Sequence, residues 1–98
     1  MSYVILERKD KMVAKSDDDK PPIMTEIKKN VIVEIAIFNK KEKIPERVWG
    51  KVTYRKGDQL KVAIDDTLFQ PDLYGLKAGD KLDLTKKQVI NIWRKNNG

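Results

Sequence analysis

The chain has 98 residues, with 21 Lys and Arg against 15 Asp and Glu, and it contains neither histidine nor cysteine. That length makes one domain around one small core, and the missing residue types exclude disulfide stapling, Ser-His or Cys-His nucleophile pairs and the usual zinc sites. The net charge of +6 is carried mostly beyond residue 50, where ten cations face six anions, while residues 1–20 are balanced. Such a surface either attracts a polyanion, whether nucleic acid or an acidic protein, or simply keeps a small protein soluble.

In chain order, Tyr3 to Leu6 is a short β-prone run that reads as an edge strand. Its apolar stretch is too short for a signal peptide or a membrane span, so the expectation is a soluble cytoplasmic protein with no membrane partner. Residues 7–22 read as a flexible charged arm, because Lys15-Ser16-Asp17-Asp18-Asp19-Lys20 ends in Pro21-Pro22, which blocks helix and central strand alike. The aspartates lack the alternate spacing and the glycine of a calcium loop and read as a solvated run. The domain proper is expected over residues 23–98.

Asn30 to Phe38 is the strongest strand signal. Val31, Val33, Ile35 and Ile37 share one face, and Ile32, Glu34, Ala36 and Phe38 share the other. A strand apolar on nearly both faces is central and covered on both sides, with Glu34 near an opening. After the polar loop from Asn39 to Pro45, the run from Arg47 to Arg55 alternates. Val48, Gly50, Val52 and Tyr54 are expected on one side, and Trp49, Lys51, Thr53 and Arg55 on the other. Gly50 marks a bulge or bend. Lys56-Gly57-Asp58 supplies a turn, and the return strand from Gln59 to Ile64 points Leu60, Val62 and Ile64 inward and Lys61 and Ala63 outward.

Residues 65–75 form an unusually apolar loop that plugs a core or meets a partner. A tight turn at Ala78-Gly79-Asp80 leads into a strand from Lys81 to Leu84. One helical turn capped by Thr85 is expected at Thr85 to Gln88, then a last strand from Val89 to Trp93 and a basic tail. The pattern defines a mainly β fold, a small antiparallel β-barrel or curved sheet of the SH3-like kind, with room for one short helix.

The inventory argues against catalysis. No glycine-rich phosphate loop exists, and the serines, Ser2 and Ser16, lie in the arm. Asp65, Asp66 and Asp72 share one loop and have the chemistry to hold a hard cation with waters, but no acidic-x-Lys triplet follows, and aspartates at a strand end commonly form turns. No enzyme activity, cofactor or metal site is expected. The better constellation is Trp49, Lys51, Arg55 and Lys61 on one outward face, extended by Lys86, Lys87, Arg94 and Lys95. An aromatic ring flanked by cations is how sheet-faced barrels hold single-stranded nucleic acid. The plainer alternative is a solvated strand face, with Trp49 packed under the arm or against a neighbouring segment. Trp93 either closes the bottom of the core or touches a ligand. A rival reading makes the chain a protein-interaction module (an inhibitor, immunity or phage accessory protein) that uses Leu68, Phe69, Leu73 and Tyr74 as anchors on an acidic or apolar partner. A third is a structural domain with no ligand. The edge at Tyr3 to Leu6 offers pairing with a second copy, and the oligomeric state stays open.

From Val31 onward the order of features resembles the YegJ-like family, a bacterial group described as a domain of unknown function. The pieces are Val33-Glu34-Ile35-Ala36-Ile37-Phe38, Glu46-Arg47-Val48-Trp49-Gly50-Lys51-Val52, Leu76-Lys77-Ala78-Gly79-Asp80-Lys81-Leu82 and Val89-Ile90-Asn91-Ile92-Trp93. In that family a Glu-x-x-Trp pair opens a strand, a Gly-Asp turn follows a variable loop and an Ile-x-Asp-Trp-like end closes it. Here Asn91-Ile92 stands where the closing acid is expected, and Asp66-Thr67-Leu68 replaces an Asn-x-Pro-like loop. The resemblance implies a mainly β fold and no assigned activity.

Overall fold

The computed structural model describes residues 3–13, 24–39, 45–65 and 75–93. Six strands form one antiparallel sheet: β1 (Tyr3–Ile5), β2 (Ile32–Asn39), β3 (Pro45–Lys56), β4 (Gln59–Ile64), β5 (Lys81–Thr85) and β6 (Asn91–Ile92). Strands β1 to β5 are neighbours in sequence order, and β6 returns to β2. The sheet curls into a nearly closed barrel of the expected SH3-like kind. The helical turn expected at Thr85 to Gln88 is present as a 3-10 turn, Lys86–Gln88, with Thr85 at its N-cap, and the described residues hold a second 3-10 turn at Met24–Glu26.

β2 is central, as its two apolar faces require. β3 covers one edge, while β1 and β6 lie end to end along the other, opposite residues 37–39 and 33–34 respectively. Its inward side chains Val33, Ile35 and Ile37 are fully buried with Val48, Val52, Leu60, Val62, Leu82, Leu84, Val89 and Ile92. Each such aliphatic side chain contributes about 1.5–3 kcal/mol when removed from water. Val31, expected on this face, lies just before the strand and packs against the cluster while only partly buried.

The long strand β3 makes the barrel possible. Its first part pairs with β2 from Pro45 to Lys51, and its second pairs with β4 from Gly50 to Lys56, so Gly50 and Lys51 belong to both ladders. Gly50 permits this overlap by close approach. A Cβ there would overlap Val62 Cγ1 and lie 2.8 Å from the Ala63 carbonyl oxygen. The irregularity expected at Gly50 falls three residues later. Val52 pairs with Val62 and Tyr54 with Lys61, which leaves Thr53 as the extra residue of a β-bulge. The Thr53 hydroxyl donates to the Lys61 carbonyl at 3.2 Å. Val52, just before the bulge, exchanges backbone hydrogen bonds with Asn30 and Val31.

The turns follow their residues. Gly57 has φ +60 at the first central position of the β3–β4 hairpin, where a type II′ turn requires glycine. Gly79, with φ +94, sits in the Lys77–Asp80 turn, whose ends are tied by Asp80 N–H to the Lys77 carbonyl and Lys77 N–H to the Asp80 carboxylate, both at 3.0 Å.

Between β5 and β1 the barrel is closed by side chains rather than by a ladder. The Gln88 carbonyl oxygen accepts from Thr85 N–H at 2.7 Å, and its amide donates to the Ile5 carbonyl at 2.8 Å. Arg8 adds a backbone bond to the Lys87 carbonyl and a guanidinium bond to the Ile90 carbonyl.

The arm expected from residue 7 begins differently. Leu6 and Val13, only 6% and 4% exposed, pack with Ala36 and Ile90 and against Phe38 as a second apolar cluster on the outer face of β2. Residues 7–13 are therefore part of the fold, because Ala36 and Phe38 leave an apolar outer face that needs a cover. The charged run from Lys15 to Pro22 lies outside the described residues. Leu6→Ala is expected to cost about 2–3 kcal/mol and to lower Tm by about 10–20 °C. A thermal melt indistinguishable from wild type would mean the segment behaves as a free tether after all.

Candidate functional site

Pleating sends alternate residues of β2 to β6 to the outer face, and the register arranges them in rows across the strands. One row reads Asn91, Glu34, Trp49 and Asp65, the last aligned by its N–H bond to the Trp49 carbonyl. The next reads Trp93, Ile32, Lys51, Ala63 and Lys81, with Trp93 N–H bonded to the Ile32 carbonyl at 2.8 Å. Beyond the bulge follow Tyr54, Lys61 and Asp83, then Lys56, Gln59 and Thr85.

At one end of this face the two tryptophans meet. The Trp49 and Trp93 rings are edge to face, with centroids 5.7 Å apart at 89°. This geometry places the positive edge of one ring against the negative face of the other. Trp93 is 60% exposed, while Trp49 is half-buried. Beside them Arg47 pairs with Glu34 at 3.3 Å, which offsets the carboxylate nearest the rings. Trp93 is thus exposed rather than closing the bottom of the core, and Trp49 packs against a neighbouring segment, the ring of Trp93.

The other end is a cleft of about 490 Å³ lined by Tyr54, Gln59, Leu60, Lys61, Asp83, Leu84, Thr85 and Gln88. Tyr54, expected inward, is 47% exposed, and it stands on the outer face because the Thr53 bulge reverses the alternation.

The same reversal corrects the expected cationic face. Trp49, Lys51 and Lys61 share the outer face as expected. Arg55 does not, because it pairs with inward-facing Leu60 and so points to the opposite side of the sheet from Lys61. Lys86 is only 9% exposed, and its N–H bonds to the Asp58 carbonyl as a continuation of the β4–β5 ladder. Lys87 is exposed on the 3-10 turn beside Arg8, away from the strand rows. Arg94 and Lys95 lie outside the described residues, as do Leu68, Phe69, Leu73 and Tyr74 of the rival protein-binding surface. Leu76, just after that loop, is buried in the main core.

Sequence reasoning missed Lys81, Asp83, Gln59 and Gln88. Lys81 and Asp83 carry a signal, since Leu82 and Leu84 alternate with them and fix their outward direction. The charge pattern is mixed, with Arg47, Lys51, Lys61 and Lys81 interleaved with Glu34, Asp65 and Asp83. No cluster of three or more acidic side chains suited to a metal ion occurs among the described residues, while Asp66 and Asp72 lie outside them.

Fold and face together define a small SH3-like barrel with an aromatic and charged outer surface. Compared with known proteins, no family model matches the chain, and no curated protein or solved structure is significantly similar to it.

Proposed function

We propose that the chain is a non-enzymatic module that holds single-stranded nucleic acid on the outer face of strands β2 to β6. The observation that carries this reading is the exposed Trp93 set against Trp49 on the face that also presents Lys51, Lys61 and Lys81. The edge-to-face pair leaves the Trp93 ring open to a stacking ligand. Unpaired bases stack on such rings in a sequence-tolerant way, while lysines neutralise the backbone phosphates. Duplex fits less well, because its bases are already stacked and its dense phosphates favour an unbroken cationic stripe. Glu34, Asp65 and Asp83 interrupt the stripe here. With no cysteine to oxidise, the module suits the reducing cytoplasm.

The test is fluorescence anisotropy of labelled oligothymidine, single-stranded RNA and duplex DNA against the purified protein at two salt concentrations. The expected result is binding in the micromolar range or tighter to the single strands, with tryptophan quenching. Its log–log salt slope should be about −1.4 to −2, as two or three phosphate contacts give. Equal binding of all three ligands, seen only at low salt and without quenching, would reduce the interaction to general charge attraction and sink the proposal.

A further inference from the structure

We propose that the Tyr54 cleft is a base-reading pocket, selective for guanine, at the far end of this face. The inference rests on the single-strand reading above and assigns that site its base preference.

The cleft has walls of different chemistry. Tyr54 offers an exposed ring, and its register partner Lys61 and the next strand's Asp83 stand in the same row across the sheet. Although Lys61 and Asp83 face each other across the ladder, no hydrogen bond or ion pair joins them among the described residues. Gln59 and Thr85 fill the adjoining row. The volume of about 490 Å³ falls in the range of small-ligand sites.

Asp83 decides what enters. A carboxylate accepts hydrogen bonds only, and it repels phosphate. The cleft therefore favours a base over the backbone, whose phosphates are better placed near Lys51 and Lys81. The Watson–Crick edge of guanine presents an acceptor oxygen followed by adjacent N–H donors. Lys61 beside Asp83 offers the complementary order, a donor followed by a two-oxygen acceptor. Thymine and uracil flank their single N–H with carbonyl oxygens, which repel a carboxylate. Adenine and cytosine each offer Asp83 one amino donor and Lys61 one ring-nitrogen acceptor, so they lack the second adjacent N–H with which guanine engages both carboxylate oxygens. Lys61 thus serves the base edge rather than a phosphate. Tyr54 supplies the stacking platform, a role in which every base is acceptable and a purine covers the ring most fully.

The bulge at Thr53 creates the pocket. Were the register of Val52 and Val62 continued without the bulge, Thr53 would stand opposite Lys61 and Tyr54 would turn inward opposite Leu60, so the cleft would lose its aromatic wall.

The experiment compares two oligothymidines, one with a single central guanine and one with adenine at that position, against wild type and Asp83→Asn. Both purines stack, so the comparison isolates the edge. Wild type is expected to prefer the guanine oligomer by about tenfold, in line with one good bidentate base contact, and Asp83→Asn to bring that ratio close to one. Lys61→Met, read by the same ratio, is a second variant should Asp83→Asn lower Tm. Equal affinity of wild type for both oligomers, with tryptophan quenching intact, overturns the guanine pocket and leaves the single-strand proposal standing. Failure of both oligomers to bind overturns both proposals.

Discussion

Trp93→Ala is expected to weaken binding of oligothymidine by at least about tenfold while lowering Tm by no more than about 10 °C. Base stacking on an aromatic side chain contributes about 1–3 kcal/mol per base, and the exposed Trp93 ring has little else to do for the fold. Its contact with Trp49 carries about 0.5–1.5 kcal/mol, which sets the scale of the stability change. Trp93→Phe keeps a stacking surface and is expected to recover much of the affinity. Trp49→Ala is a less clean probe, because Trp49 is half-buried opposite Glu34. An unchanged dissociation constant for Trp93→Ala would remove the aromatic pair from the binding surface. A lower affinity with an equally lowered Tm would indicate a structural part only. The two readouts together separate recognition from packing.

Gly50→Ala is expected to destabilise the protein by about 2–3 kcal/mol, at the upper end for overpacking, with a fall in Tm of about 10–20 °C. The reason is space rather than conformational freedom. The new methyl carbon would lie 2.8 Å from the Ala63 carbonyl oxygen and closer still to Val62 Cγ1. The oxygen is ladder backbone and cannot move without opening the β3–β4 pairing. Gly50 pairs with both Val33 and Ile64, so the strain would spread to both halves of the barrel. Chemical denaturation with an unchanged midpoint would show that the strands separate without cost, and the close-approach argument would fail.

Much of the fold is legible from short-range rules. Alternation in Val48 to Val52, Leu60 to Ile64 and Lys81 to Leu84 fixes the core faces, and glycines at 57 and 79 fix the turns. The bulge is legible only by combining two of these signals. Counting back from a two-residue turn at Gly57-Asp58 sets Arg55 opposite Leu60, whereas counting forward from Val48 and Val52 sets Arg55 outward. The two phases conflict, and one inserted residue resolves them. Reading each strand alone hides the conflict, so Arg55 is expected on the binding face and Tyr54 is not.

The N-terminal segment was legible in neither way. Leu6 ends a short apolar run and Val13 lies between Met12 and Ala14, with charged residues between them, and nothing local announces that they pack together. Their partners Ala36, Phe38 and Ile90 are distant in sequence, and it is the unpaired apolar outer face of β2 that recruits them. For the same reason Lys86 reads as a surface cation in the sequence and is only 9% exposed in the fold.

What the sequence determined by itself is the strand content, the inward set up to Val52 and in β4 and β5, the turns and the absence of histidine and cysteine chemistry, because these follow from composition and from contacts a few residues apart. What only the tertiary structure decided is which side chains share a surface. Trp93 meets Trp49 through the return of β6 to β2, and Tyr54 joins Lys61 and Asp83 through one bulged residue. Side-chain direction along a strand repeats every two residues, so a single insertion exchanges the faces of everything beyond it. Only long-range pairing determines where that insertion falls.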